Sequence, residues 1–138
     1  MEDSVIQAVS TALHAAFGDD YRYYRDPVQQ GASLPCFFIA PLEPVFHPLL
    51  GARSRLDVPM DVHYFASQEG DYGELSRMAG RLPAVLEVVE LPGGPVRGRE
   101  MRWHIEEGVL HFFVTYTVFL IRQEEETDMG EIAVETNI

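Results

Sequence analysis

The chain has 138 residues, 46% of them hydrophobic, and a formal net charge of −12; all ten basic residues are arginine. That length holds one domain with a real core, and the hydrophobic share excludes global disorder. The charge excludes a general nucleic-acid or anionic-membrane surface, because phosphate affinity rests on clustered Arg and Lys.

Ser4 and Gln7 match a capping box, so a first helix is expected to start at Asp3 or Ser4. Its apolar positions Val5, Val9, Ala12, Leu13, Ala16 and Phe17 recur at helical spacing, and Gly18 is a natural stop. Residues 21–24 read as a short strand or a loop. Asp26 to Leu34, with Pro27 and Gly31, reads as a connection. Residues 36–42 form an apolar run of strand length. Cys36, the single cysteine, rules out an intrachain disulfide and reads as a small buried hydrophobe rather than a catalytic thiol.

Pro41, Pro44 and Pro48 predict a loop over residues 41–51. Residues 53–65 then alternate, with Leu56, Val58, Met60, Val62 and Tyr64 on one side and Arg53, Arg55, Asp57, Asp61 and His63 on the other. Pro59 cannot donate to a ladder, which predicts an edge strand or a bulge there, with an edge open to another chain. Asp71 and Glu74 suggest a second capping box. The helix it starts carries Tyr72, Leu75, Met78, Ala79, Leu82, Leu86 and Val89 on one stripe, with Pro83 expected to kink or split it. Residues 92–95, Pro-Gly-Gly-Pro, should end that helix.

Two independent signals agree over residues 101–121. Glu107-Gly108 is a two-residue turn between apolar runs, which predicts a hairpin of residues 96–106 with 109–122. The turn sets Glu106 opposite Val109, Ile105 opposite Leu110, His104 opposite His111, Trp103 opposite Phe112 and Met101 opposite Val114. Alternation then puts Met101, Trp103, Ile105, Leu110, Phe112, Val114, Tyr116, Val118 and Leu120 on one face. The opposite face carries Arg102, His104, Glu106, His111, Phe113, Phe119 and Ile121. Phe113, Phe119 and Ile121 are too apolar for a freely solvated surface, so a helix of the chain or a neighbouring subunit should cover them.

From Gln123 the composition turns acidic, and Ile132 and Val134 alternate with Glu131, Ala133 and Glu135. That segment reads as a solvated tail, or as an arm that orders on a neighbour by adding as a strand to an exposed sheet edge. The fold expected is therefore α+β, a mainly antiparallel sheet with two helices packed on one face and a C-terminal arm. The organisation is a domain over 1–122 and an acidic arm over 123–138. No charged-then-apolar leader opens the sequence and no apolar run has membrane-spanning length, which predicts a soluble, cytosolic chain.

Signs of chemistry are few. Cross-strand partners lie about 4.5–5.5 Å apart at Cβ, so His104 and His111, with Glu106 on the same face, could begin a zinc site. His63 would serve as a third ligand only if its strand lay alongside. No HExxH or comparable spacing accompanies them, and they read as partly exposed sheet histidines. No serine lies in a GxSxG context, no Gly-rich loop resembles a phosphate cradle, and no apolar pocket singles out a carboxylate pair. The reading is of a protein that is not an enzyme, with no catalytic, cofactor or metal residue assigned.

Residues 34–39 (LPCFFI), Arg53-Ser54-Arg55 leading into residues 59–65 (PMDVHYF), and the hairpin core 108–116 (GVLHFFVTY) carry a resemblance. With the amino-terminal helix, they make the chain resemble the phage tail terminator, or tail completion, proteins of contractile-tailed phages and prophages. The resemblance runs from Ser4 to Arg122, and more weakly over residues 131–134. It implies a virion structural protein of the tail and neck, assembled in the host cytoplasm. The implied form is a homo-oligomeric ring, a hexamer, that caps the tail tube and meets the head-tail connector, with tube and sheath proteins as neighbours. DNA would pass through without sequence-specific binding, and an acidic wall would repel it. Interface candidates are Phe113, Phe119, Ile121, Ile132 and Val134, with Arg53, Arg55, Arg97, Arg99 and Arg102 able to pair with a neighbour's carboxylates. The alternative is a small cytosolic ligand-binding or regulatory domain without catalysis, using the sheet as a pocket wall.

Overall fold

The computed structural model describes residues 2–27, 31–125 and 128–135, with side chains as far as Arg122. Helix α1 spans Glu2–Phe17 and α2 spans Tyr72–Leu86. The strands are β1 (Arg22–Tyr24), β2 (Cys36–Pro41), β3 (Val45–Pro48), β4 (Arg53–Phe65), β5 (Val88–Leu91), β6 (Gly94–Glu106), β7 (Val109–Glu125) and β8 (Asp128–Glu135). They form one sheet in the order β1-β2-β4-β7-β6-β5, with β3 added to β4 and β8 to β7. Only β1 and β2 run parallel. The fold is α+β.

Both helices lie on one face because only that face is continuously apolar. Val5, Val9, Leu13 and Phe17 of α1 and Leu75, Met78, Ala79, Leu82 and Leu86 of α2 are buried. They join Val58, Met60, Val62 and Tyr64 of β4 and Leu110, Phe112, Val114, Tyr116, Val118 and Leu120 of β7 in a single cluster. Each Val, Leu, Phe or Met among them gives up apolar surface worth about 1.5–3 kcal/mol when fully buried. Cys36 is buried too, and burial pushes its thiol pKa up.

The hairpin register agrees with the turn-based expectation from Glu106–Val109 to Trp103–Phe112. Both turn residues have positive φ, 52° at Glu107 and 75° at Gly108, as a type I′ turn requires. The register then departs. Arg102 opposes Phe113, but Arg99 opposes Thr115. A bulge therefore inserts Glu100, at φ 57°, and Met101 does not sit opposite Val114 as a simple ladder would place it. Trp103 also departs, remaining 44% exposed although Phe112 across from it is buried.

Other expectations are corrected. Helix α1 starts before Ser4, and Gln7 bonds Thr11 rather than closing a capping box. Ala16 is exposed. Asp71 does cap α2, accepting from Glu74 N at 3.2 Å. The Glu74 carboxylate turns away from that box, to Ser67 and the Tyr64 hydroxyl. Helix α2 runs through exposed Pro83 as one element, with buried Leu82 and Leu86 flanking the lost hydrogen bond. Val89 belongs to β5, so Pro92-Gly93 turns a short hairpin rather than ending a helix.

Strand β4 is central rather than an edge. It pairs with β7 along its length and, on its other side, with β3 over residues 54–57 and with β2 over residues 60–65. A strand residue points its N–H and C=O to the same side. The Pro59 carbonyl accepts from Leu42 N at 2.9 Å, so its missing N–H falls in the gap where β2 leaves and β3 has yet to begin. That gap is why the sheet tolerates proline here. The same segment corrects the loop expected over residues 41–51, which holds β3 and a hairpin turned at Gly51, φ 71°.

Candidate functional site

The face of the sheet away from the helices carries the features that distinguish this chain. Directly opposed residues of an antiparallel pair share a face, so the register assigns each position. With Val58, Met60, Val62 and Tyr64 turned to the helices, Arg53, Arg55, Asp57, Asp61 and His63 of β4 face outward. Their partners Ile121, Phe119, Thr117, Phe113 and His111 on β7 do the same. On β6, Arg99, opposite Thr115, and Arg102, opposite Phe113, share that face. Arg97 opposes exposed Val88, beside the buried pair Val89 and Val96, and also points outward.

Five of the ten arginines therefore gather on one helix-free face of a chain with 22 acidic residues. Each is placed differently. Arg97 pairs with Glu87 at 2.9 Å, at the side of the sheet. Arg102 lies over the Phe113 ring, 4.1 Å from its centroid. Arg55 and Arg99 converge on Asp57, at 3.4 and 3.6 Å. Arg53 stands at the exposed start of β4. Half-burial of Phe113, Phe119 and Ile121 matches their apolar character, and neither helix covers them.

Asp57 is the centre of one cluster. Thr117 Oγ donates to its Oδ1 at 2.6 Å, and His47 Nε2 lies 3.1 Å from Oδ2. Burial pushes the Asp57 pKa up, but the Thr117 bond, Arg55 and His47 outweigh it and hold the carboxyl below its usual range. Three strands and the β3 hairpin are thereby pinned through one carboxylate.

A second cluster lies farther along the same two strands. His63 opposes His111, and both reach the Asp61 carboxylate. His104 stacks on His111 with ring centroids 5.2 Å apart, as the hairpin register predicts. The sequence signal that could have found Asp61 and His63 was their i, i+2 spacing on the polar side of β4; what it lacked was the strand beside them.

The arm of the sheet beyond the helices is also exposed. Phe46, opposite Leu56 on the helix side, keeps 56% of its surface open, and Leu50 at the β3–β4 turn keeps 94%. Val45 and Leu49 are exposed with them. Beyond Arg97, β6 has no strand on its outer edge among the described residues. Among the described residues the open edges are thus those of β1, β3, β5, β8 and the stretch of β6 beyond Arg97, rather than the β4 edge expected from Pro59. Ile132 and Val134 have backbone partners Arg122 and Leu120 on β7 of the same chain, while their side chains lie outside the described ones.

The helices thus back one side of the sheet and leave the other side bare and rich in arginine. The family described as phage tail terminator protein matches residues 4–128, nearly the whole sequence. The chain belongs to the phage tail terminator family. Its role is structural, as a component of the phage tail and so of the virion. No curated protein matches the chain.

Proposed function

We propose that this tail terminator works as a ring, a hexamer of identical copies that caps the tail tube and joins it to the head-tail connector in the neck of the virion. Assembly takes place in the host cytoplasm, and the protein performs no catalysis. The observation that carries this reading is the concentration of Arg53, Arg55, Arg97, Arg99 and Arg102 on the one face that the helices leave bare. In so acidic a chain, the surface most complementary to that face is another part of a second copy. Arginine suits such contacts because its planar fork binds carboxylates at two points.

Phe113, Phe119 and Ile121 supply the apolar part of the contact, and Val45, opposite Asp57, extends it at the β3–β4 hairpin. The domain over 1–122 carries the fold, and the arm over 123–138, with Ile132 and Val134, strengthens assembly. Acidic residues that the ring turns inward repel DNA, which passes without sequence-specific binding.

Native mass spectrometry of the purified protein, alone and with tail tube, tests the proposal. Closed rings of one stoichiometry are expected in at least the second condition. Monomer alone in both would overturn it.

A further inference from the structure

We propose that Asp61, His63 and His111 form a binding site for one divalent transition-metal ion of the Zn2+ class, open to the helix-free face of the sheet. The inference stands on geometry and is independent of ring formation. His63 Nε2 and His111 Nδ1 approach the same oxygen, Asp61 Oδ2, at 3.1 and 3.0 Å. The three donor atoms lie within 4.8 Å of one another. The two rings meet edge to face, with centroids 4.3 Å apart and planes at 61°. Their nitrogens therefore approach a common point from different directions, as ligands of one ion must.

Two further observations separate this arrangement from an ordinary pair of surface histidines. Asp61 is 8% exposed, and its second oxygen, Oδ1, is buried with no hydrogen-bond partner. A buried carboxylate oxygen left unpaired costs free energy. The charge of a cation beside the carboxylate offsets that cost. The imidazoles are also held in place beforehand. Phe38 meets His63 edge-on at 5.0 Å, and His104 stacks on His111 at 5.2 Å with planes 14° apart. These ring contacts restrict how each imidazole can turn.

The donor set decides the class of ion. Two imidazole nitrogens and one carboxylate oxygen suit zinc and its neighbours, whereas calcium and magnesium prefer oxygen alone. In binding, the ion takes the place of the two N–H···O contacts, and each imidazole carries its proton on the ring nitrogen turned away. Three protein ligands leave a fourth tetrahedral position for water on the outer face.

The test is a titration of the full-length, chelator-treated protein with Co2+, then displacement by Zn2+. One Co2+ per chain with the visible absorption of a tetrahedral site is expected. His63→Ala and His111→Ala should each weaken binding by more than about 100-fold, and His104→Ala by only about 10-fold. A measurement on the unaltered chain keeps the test sound if a variant misfolds: Zn2+ should move the imidazole nitrogen resonances of His63 and His111 and leave those of His14 and His47 in place. No stoichiometric binding, binding unchanged in both ligand variants, or shifts at His14 and His47 instead would overturn the site.

Discussion

Arg99 on β6 reaches across β7 to Asp57 on β4, its guanidinium 3.6 Å from Oδ1 while it also bonds the Thr117 hydroxyl between them. A contact spanning three strands ties the hairpin to the centre of the sheet, and it lies on the face proposed for assembly. Asp57→Asn keeps the size of the side chain but removes its charge from His47, Arg55 and Arg99. The expected cost at neutral pH is about 1–3 kcal/mol, as for other hydrogen bonds to charged groups. The Asp57 pKa is depressed in the fold, so its stabilisation is complete above the unfolded value of about 3.9 and is lost as pH falls through the folded value. Urea unfolding of both proteins should show a gap at pH 7 that closes below about pH 4. A gap of constant size would show that the charge contributes nothing.

Glu74 offers a second pH-dependent contact on the helix side. Its carboxylate accepts from Ser67 N at 2.7 Å, Ser67 Oγ at 2.5 Å and the Tyr64 hydroxyl at 2.6 Å, tying α2 to the end of β4. Burial works against its charge, but the Ser67 and Tyr64 bonds prevail and hold its pKa below the usual value, while burial and Glu74 push that of Tyr64 up. Glu74→Gln should cost about 1–2 kcal/mol at neutral pH. That difference should shrink as acid protonates the wild-type carboxyl, with thermal melts at pH 7 and pH 3 as the measure.

Gly98 marks where α2 meets the sheet. Its N–H donates to the Glu87 carbonyl at 2.7 Å, and a Cβ there would lie 2.7 Å from both the Leu86 carbonyl oxygen and Val114 Cγ2. The Tyr116 hydroxyl donates to that same Leu86 carbonyl at 2.7 Å. Gly98→Ala should therefore destabilise the domain by about 1–3 kcal/mol, the cost of overpacking. A chemical denaturation midpoint equal to the wild type's would show that the junction yields freely.

Deleting residues 123–138 should leave cooperative melting in place and weaken assembly. The deletion removes β8, which pairs with β7 from Phe119 onward, but the helix-packed core ends at Leu120. Loss of a cooperative transition in the truncated protein would make the arm part of the core instead.

Local signals made much of the fold legible. The Glu107-Gly108 turn and the alternation beyond it fix the hairpin register, and the apolar stripes of α1 and α2 mark the helices. Failures arose where a local rule met a long-range partner. The bulge at Glu100 uses a positive φ at a residue whose type gives no hint of it. Pro59 reads as an edge because sequence does not reveal that β2 and β3 share one side of β4 and leave a gap. Val89 continues the periodicity of α2 although it lies in β5. The Asp61, His63 and His111 cluster depends on β4 lying beside β7, an adjacency over about 50 residues of sequence that no local pattern encodes.

Reversal of the arginine charges should separate assembly from folding. The combined Arg53→Glu and Arg102→Glu variant should melt within about 1 kcal/mol of the wild type, as exposed substitutions usually do. Its fraction of oligomer at equal concentration should fall at least tenfold by sedimentation velocity. An unchanged oligomer fraction would remove arginine pairing from the interface.

The central claim is that copies of this chain pack against the helix-free face of the sheet. Hydroxyl-radical footprinting of the assembled protein against the monomer tests it most directly. Protection is predicted at Phe113 and Phe119, with the exposed flank of α2 at Tyr72 unchanged. Protection at Tyr72 with Phe113 and Phe119 as reactive as in the monomer would contradict it.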